Sequence, residues 1–95
     1  MTRKEQLLVV LGEECSEVAK ATAKALRFGL NTKAPNDTQT NRKKISNEFN
    51  DLYAVIKMCV AEGILNEEDL MVPEEINDKQ QKVEKYLKYS MSEDR

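Results

Sequence analysis

The sequence predicts an all-α chain whose helices build a four-helix-bundle-like core completed by oligomerisation. Three stretches carry apolar residues at a period near 3.6. Gly29, Gly63 and Pro73 fall at the ends of those stretches, where helices start and stop. No run alternates apolar and polar residues as a half-buried strand does.

The first helix is expected from about Lys4 to Phe28. Leu7, Leu8, Leu11, Cys15, Val18, Thr22, Ala25 and Leu26 form its stripe. Gly29 suits the C-cap, with Lys24 and Arg27 in the last turn where the helix dipole favours cations. Residues 30–41, LNTKAPNDTQTN, are polar and aperiodic and read as a loop. Its length exceeds most helix–helix connections, and such loops tend to be mobile or functional. The second helix runs from Asn41 or Arg42 to Ala61, with Ile45, Phe49, Leu52, Ile56, Cys59 and Val60 as its stripe. The run NEED at Asn66–Asp69 suggests a capped single turn. A last helix spans about Pro73 to Ser90, with Ile76, Val83, Tyr86 and Leu87 on one side, and the polar tail after Met91 is expected to fray.

Composition removes several functions. The 95 residues suit one domain, 1–95. A net charge of −2 argues against general nucleic-acid binding, which needs a basic surface. No apolar run approaches the ~18 residues of a membrane span. Cys15 and Cys59 each sit in an apolar helical pattern and read as buried reduced thiols. With no cysteine-rich framework or secretory leader, a soluble cytoplasmic protein is expected, in the host cytoplasm if phage-encoded. Histidine is absent. That excludes Ser-His-Asp triads, His-ligated zinc and the Glu-x-x-His di-iron pattern.

Two acidic clusters remain. Glu13, Glu14 and Glu17 lie in the first helix, Glu48 and Asp51 in the second. Carboxylates three or four residues apart share a helix face and repel one another. Glu14 and Glu17 flank the first apolar stripe, and Glu48 and Asp51 flank the second. In an antiparallel hairpin these flanks can converge, and partly desolvated carboxylates brought together need protons or a cation. Mg²⁺ suits such an oxygen donor set, with Mn²⁺ as a substitute. Glu is also a good helix former, so a merely solvated acidic face is the competing reading.

The run Glu13-Glu14-Cys15-Ser16-Glu17 followed by Glu48-Phe49-Asn50-Asp51 resembles the EExxE…ExxD signature of the MazG-like, all-α nucleoside triphosphate pyrophosphohydrolases. KALRFGL (Lys24–Leu30) and KVEKYLKYS (Lys82–Ser90) resemble the small phage and bacterial members. The resemblance implies cleavage of a (deoxy)nucleoside triphosphate between its α and β phosphates. It implies metal ligands at Glu14, Glu17, Glu48 and Asp51. Glu13 then stands as a water-orienting residue beside Glu14. Lys79, Lys82 and Tyr86 share a flank of the last helix and are candidates for substrate binding, as are Arg27 and Asn50. The lysines also suit a snorkelling role at a partly buried face. Arg27 equally suits its helix C-terminus, and Asn50 a surface position.

Val10, Ala21 and Phe28 give the first helix a second apolar flank, and a helix apolar on two faces is usually buried on both. A homo-oligomer, dimer or tetramer, is therefore expected. Two other functions are compatible with these residues. One is a nucleotide- or alarmone-binding regulator with little turnover; the other is a helical interaction module whose carboxylates only confer solubility.

Overall fold

Thr2 starts the first helix. Its hydroxyl accepts from the Glu5 N–H at 3.1 Å, and the Glu5 carboxylate accepts from the Thr2 N–H at 2.8 Å. This reciprocal capping box satisfies two of the donors that a helix start leaves orphaned. The computed structural model describes residues 1–92. In it, α1 spans Arg3–Phe28, α2 Asn41–Ala61 and α3 Pro73–Ser92, with a 3₁₀ turn at Glu67–Asp69. The chain is all-α, as expected. Its only pairing outside helices, among the described residues, is one antiparallel bridge between Lys33 and Thr40. From residue 93 on, the tail expected to fray lies outside the described residues.

Residues Met1–Leu65 form one compact unit, and a second begins at Asn66. In the first unit α1 and α2 pack as an antiparallel hairpin. Arg3, at the start of α1, bridges Glu62, just past the end of α2, at 2.7 Å. At the other end the Asn41 amide donates to the Gly29 carbonyl at 2.9 Å.

The packing follows a 3.5-residue rhythm, the spacing of a coiled-coil seam. In α1 the seam positions are Leu7, Leu11, Glu14, Val18, Ala21 and Ala25. From α2 they are Asn41, Ile45, Glu48, Leu52, Val55 and Cys59. Every one of them is buried or half-buried. The apolar core sits towards the Arg3–Glu62 end, where Leu7, Val55 and Cys59 are buried and Leu11, Ile64 and Leu65 pack on them.

Glycines close both helices. Gly29 has φ 103°, and a Cβ there would lie 2.9 Å from Thr32 Oγ1. Gly63, at φ 76°, sits in a Schellman turn: Ile64 N–H donates to Cys59 O at 2.8 Å and Gly63 N–H to Val60 O at 3.0 Å.

Packing buries one flank of the expected α1 stripe and not the other: Leu7, Leu11, Val18 and Ala25 face α2 as expected. Leu8, Thr22 and Leu26 are exposed, Leu26 by 87%. Small Ala21, from outside that stripe, is buried beside Ala25. Cys15, expected to be buried, is exposed on the side of Leu8 and Leu26, whereas Cys59 is fully buried; both thiols are free. In α2, Phe49 is exposed too. The reason is steric. The apolar arc of α1 is wider than one neighbouring helix can cover, and small side chains let the partner lie close.

In the second unit the expected turn forms, but Asn66 makes no side-chain cap. Its amide donates instead to Asp69 Oδ2 at 3.3 Å. Pro73 opens α3, where its missing N–H costs nothing. Glu74 and Glu75 follow in the first turn, where the dipole favours acids. The α3 stripe residues Ile76, Val83, Tyr86 and Leu87 are exposed. No helix among the described residues is long and apolar enough to cross a membrane.

Leu7→Ala should cost about 2–3 kcal/mol, the loss expected for a buried leucine in a small core. Gly29→Ala should cost about 1–2 kcal/mol through backbone strain. Urea unfolding followed by circular dichroism measures both. An unchanged midpoint for Leu7→Ala would place the core elsewhere.

Candidate metal centre

The seam puts two carboxylates where apolar side chains would stabilise the hairpin most. Glu14 follows Leu11 by three residues and Glu48 follows Ile45 by three, so each takes a facing position. Asp51 lies one turn after Glu48 and is exposed at the seam's edge. Antiparallel packing brings the three together: one carboxylate oxygen from each of Glu14, Glu48 and Asp51 lies within 4.8 Å of the others. Glu14 and Glu48 are half-buried.

The electrostatics follow from that geometry. Partial desolvation raises the Glu14 pKa above its ordinary value, and the charges of Asp51, Glu48, Glu17 and Glu13 push it the same way. No lysine or arginine salt-bridges Glu14, Glu48 or Asp51 among the described residues. Three carboxylate oxygens converging without a cationic side chain are a donor set that fits a hard divalent ion.

The remaining expected site residues are placed as follows. Glu17 is half-buried but stands outside the three-carboxylate cluster, and its Oε1 takes Lys20 Nζ at 3.4 Å. Along with Glu48 it lines a shallow groove of about 80 Å³ that also holds Lys20, Lys24 and Lys44. Glu13 and Asn50 are exposed on α1 and α2. Arg27 lays its guanidinium over the Phe28 ring, 5.0 Å from the centroid. Lys79, Lys82 and Tyr86 are exposed on α3, in the second unit. Lys79 lines an open cleft there with Asp69, Glu75 and Ile76.

Lys20 and Lys44 were not among the residues the sequence singles out, and Lys24 was read only as a cation favoured by the helix dipole. The signal existed, since Lys20 and Lys24 fall three and seven residues after Glu17 and so continue the acidic flank as a basic one. Comparison with protein-family models, curated proteins and solved structures yields no match to this chain.

The raised Glu14 pKa fixes the sign of a pH effect. The folded protein holds this proton to higher pH than the unfolded chain, so metal-free stability falls as pH rises from the ordinary value of 4.5 to the folded one. Glu14→Gln removes that loss. The metal-free variant should melt above the wild type at neutral pH, and the gap should close below pH 4.5. A lower melting temperature for the variant at neutral pH would contradict this account of the cluster.

Proposed function

We propose that the protein hydrolyses (deoxy)nucleoside triphosphates to the monophosphate and pyrophosphate, with Mg²⁺ held by the acidic centre. The observation that carries this reading is the convergence of Glu14 and Glu48, at seam positions, with Asp51 at the seam's edge, where mutual repulsion of the carboxylates favours a bound cation. Mg²⁺, when bound, neutralises charge on the phosphate oxygens. Water supplies the oxygen that bonds to phosphorus, the P–O bridge between the α and β phosphates breaks, and pyrophosphate leaves. Glu14 suits the proton acceptor because its raised pKa lies nearer neutrality than that of an ordinary carboxylate. Glu13 is assigned to orient the water, and Glu17 completes the ligand set. The resemblance of the acidic signature to the MazG-like enzymes supports the choice of bond.

A panel of NTPs and dNTPs with Mg²⁺ or Mn²⁺ tests the reading. Monophosphate and pyrophosphate should appear in equal amounts; diphosphate and free phosphate would contradict the proposed bond. Glu14→Gln and Asp51→Asn should each lower kcat at least a hundredfold with helix content kept. Metal-dependent thermal stabilisation without pyrophosphate release would favour the nucleotide- or alarmone-binding regulator, and neither would leave the interaction module.

We also infer a homo-oligomer. Helical geometry sets Leu8, Cys15 and Leu26 of α1 on the same side of the hairpin as Phe49, Tyr53 and Val60 of α2. The two rings stack at 6.4 Å between centroids. A contiguous apolar face of this kind is uncommon on a monomer, and a second copy of the hairpin would complete a four-helix core. Sedimentation should give a dimer or tetramer at micromolar concentration. Leu26→Lys with Phe49→Lys should yield a monomer with its helix content retained. A monomeric wild type would overturn the inference.

A further inference from the structure

A cleft of about 280 Å³ opens beyond the acidic centre, between the last turn of α1, the interhelical loop and the first turn of α2. Lys24, Phe28, Lys33, Pro35, Asn41 and Lys44 line it, and no carboxylate does. Lys24, Asn41 and Lys44 also line the shallow groove that holds Glu17 and Glu48. The two hollows thus share Lys24, Asn41 and Lys44 as lining, with Glu17 and Glu48 in the one and Phe28 and Pro35 in the other. Along α1, the seven residues from Glu17 to Lys24 cover about 10 Å and the next four to Phe28 about 6 Å.

The walls of this cleft are held in place. Pro35 and Asn36 form a tight turn, with Asn36 at φ 64° and Asp37 N–H donating to Ala34 O at 3.0 Å. Asn41, the one buried polar residue among those described, donates to Gly29 O, and its own N–H donates to Thr32 O at 3.0 Å. Asn47 holds Gln39 at 2.8 Å, Arg42 reaches Asn31, and Lys44 pairs with Asp37. Ordering a loop of this length costs conformational entropy, which these polar ties offset. Lys44 is therefore committed to the loop, while the Lys24 and Lys33 side chains make no ion pair among the described residues. Phe28 is 56% exposed, with Arg27 stacked on its ring.

We propose that this cleft binds the ring and sugar-proximal phosphate of a nucleotide, with Lys24 and Lys33 meeting the phosphate and Phe28 meeting the flat ring. The combination is a positive pair beside an aromatic face in a preorganised hollow, and sequence-tolerant base binding uses the same elements. The identity of the ligand as a nucleotide rests on the hydrolase reading; the location of its ring does not.

Amide NMR titration of the full chain in EDTA, with inorganic tripolyphosphate and then with each nucleoside 5′-monophosphate, tests the proposal apart from metal and turnover. Tripolyphosphate should move the amides near Lys24 and Lys33. A monophosphate should also move those of residues 28–34. Phe28→Ala should weaken monophosphate binding about tenfold while leaving tripolyphosphate binding within about twofold. Lys24→Ala should weaken both about tenfold, and Lys24→Arg should restore them. Amides that move only around residues 13–17 and 48–51 would overturn the cleft and leave the hydrolase reading intact. So would Phe28→Ala with unchanged monophosphate affinity. Cleft shifts in a protein that releases no pyrophosphate would support the cleft and overturn the hydrolase reading.

Discussion

The narrow seam between α1 and α2 is the constraint on which the first unit depends. Two antiparallel helices in contact bury one stripe each, and here the stripes must hold both the apolar core and the acidic cluster with the same dozen positions. The division runs along the helix axes. Leu7, Leu11, Val55 and Cys59 fill the stretch nearest the Arg3–Glu62 end. Glu14 and Glu48, with Asp51 beside them, take the middle. Ala21 and Ala25 with Asn41 take the stretch nearest the loop. Burying a single CH₂ contributes about 0.8 kcal/mol, so a seam that gives two central positions to carboxylates forgoes much of its possible stabilisation. The apolar end must hold the hairpin, and the small-residue end must let the helices stay close enough for the carboxylates to meet.

Legibility in the sequence divided along the same physical line. Helix ends were readable because local chemistry sets them: Gly29 and Gly63 supply positive φ, and Pro73 starts a helix without wasting a donor. The Thr2–Glu5 capping box has an equally local signature and belongs with these, although the first helix was expected to begin later. The acidic pairs were readable because three- and four-residue spacing alone puts carboxylates on one face. What spacing left ambiguous was which apolar face of α1 meets α2. Leu8, Cys15 and Leu26 outweigh Ala21 and Ala25 in hydrophobicity, yet the alanines are buried. The choice lies in the fit between two helices, and no single-helix periodicity contains it. That rotation also moves Glu14 from the edge of a stripe into the seam, and so makes its pKa rise.

The interhelical loop shows a second kind of information that pattern does not reveal. Its residues are polar and aperiodic, which suggests mobility. Beside its backbone hydrogen bonds it is tied by specific side-chain partnerships: Asn41 with Gly29, Arg42 with Asn31, Asn47 with Gln39, Lys44 with Asp37. Four of those partners lie on the first two turns of α2, so the helix carries its own scaffold for the loop. Asp37 registers the consequence. Its hydrogen bond from Lys44, with a further one from the Gln39 N–H, lowers its carboxyl pKa below the ordinary value.

The charge order along the hairpin follows from how antiparallel helices align. Residues of α1 and α2 at one level have numbers of nearly constant sum, as Arg3 with Glu62 at one end and Gly29 with Asn41 at the other show. A stretch with acids before bases in α1 therefore meets, in α2, bases before acids. Glu14 and Glu17 precede Lys20 and Lys24, while Lys44 precedes Glu48 and Asp51. Like charges consequently gather at like levels, with carboxylates in the middle of the hairpin and ammonium groups towards the loop. The opposite order in either helix would have paired acids with lysines across the seam and cancelled both fields. Local salt bridges would have gained from that cancellation, and the hairpin would have lost its charge gradient. The observed order instead keeps the two fields apart along the hairpin axis, carboxylates in the middle and lysines nearer the loop.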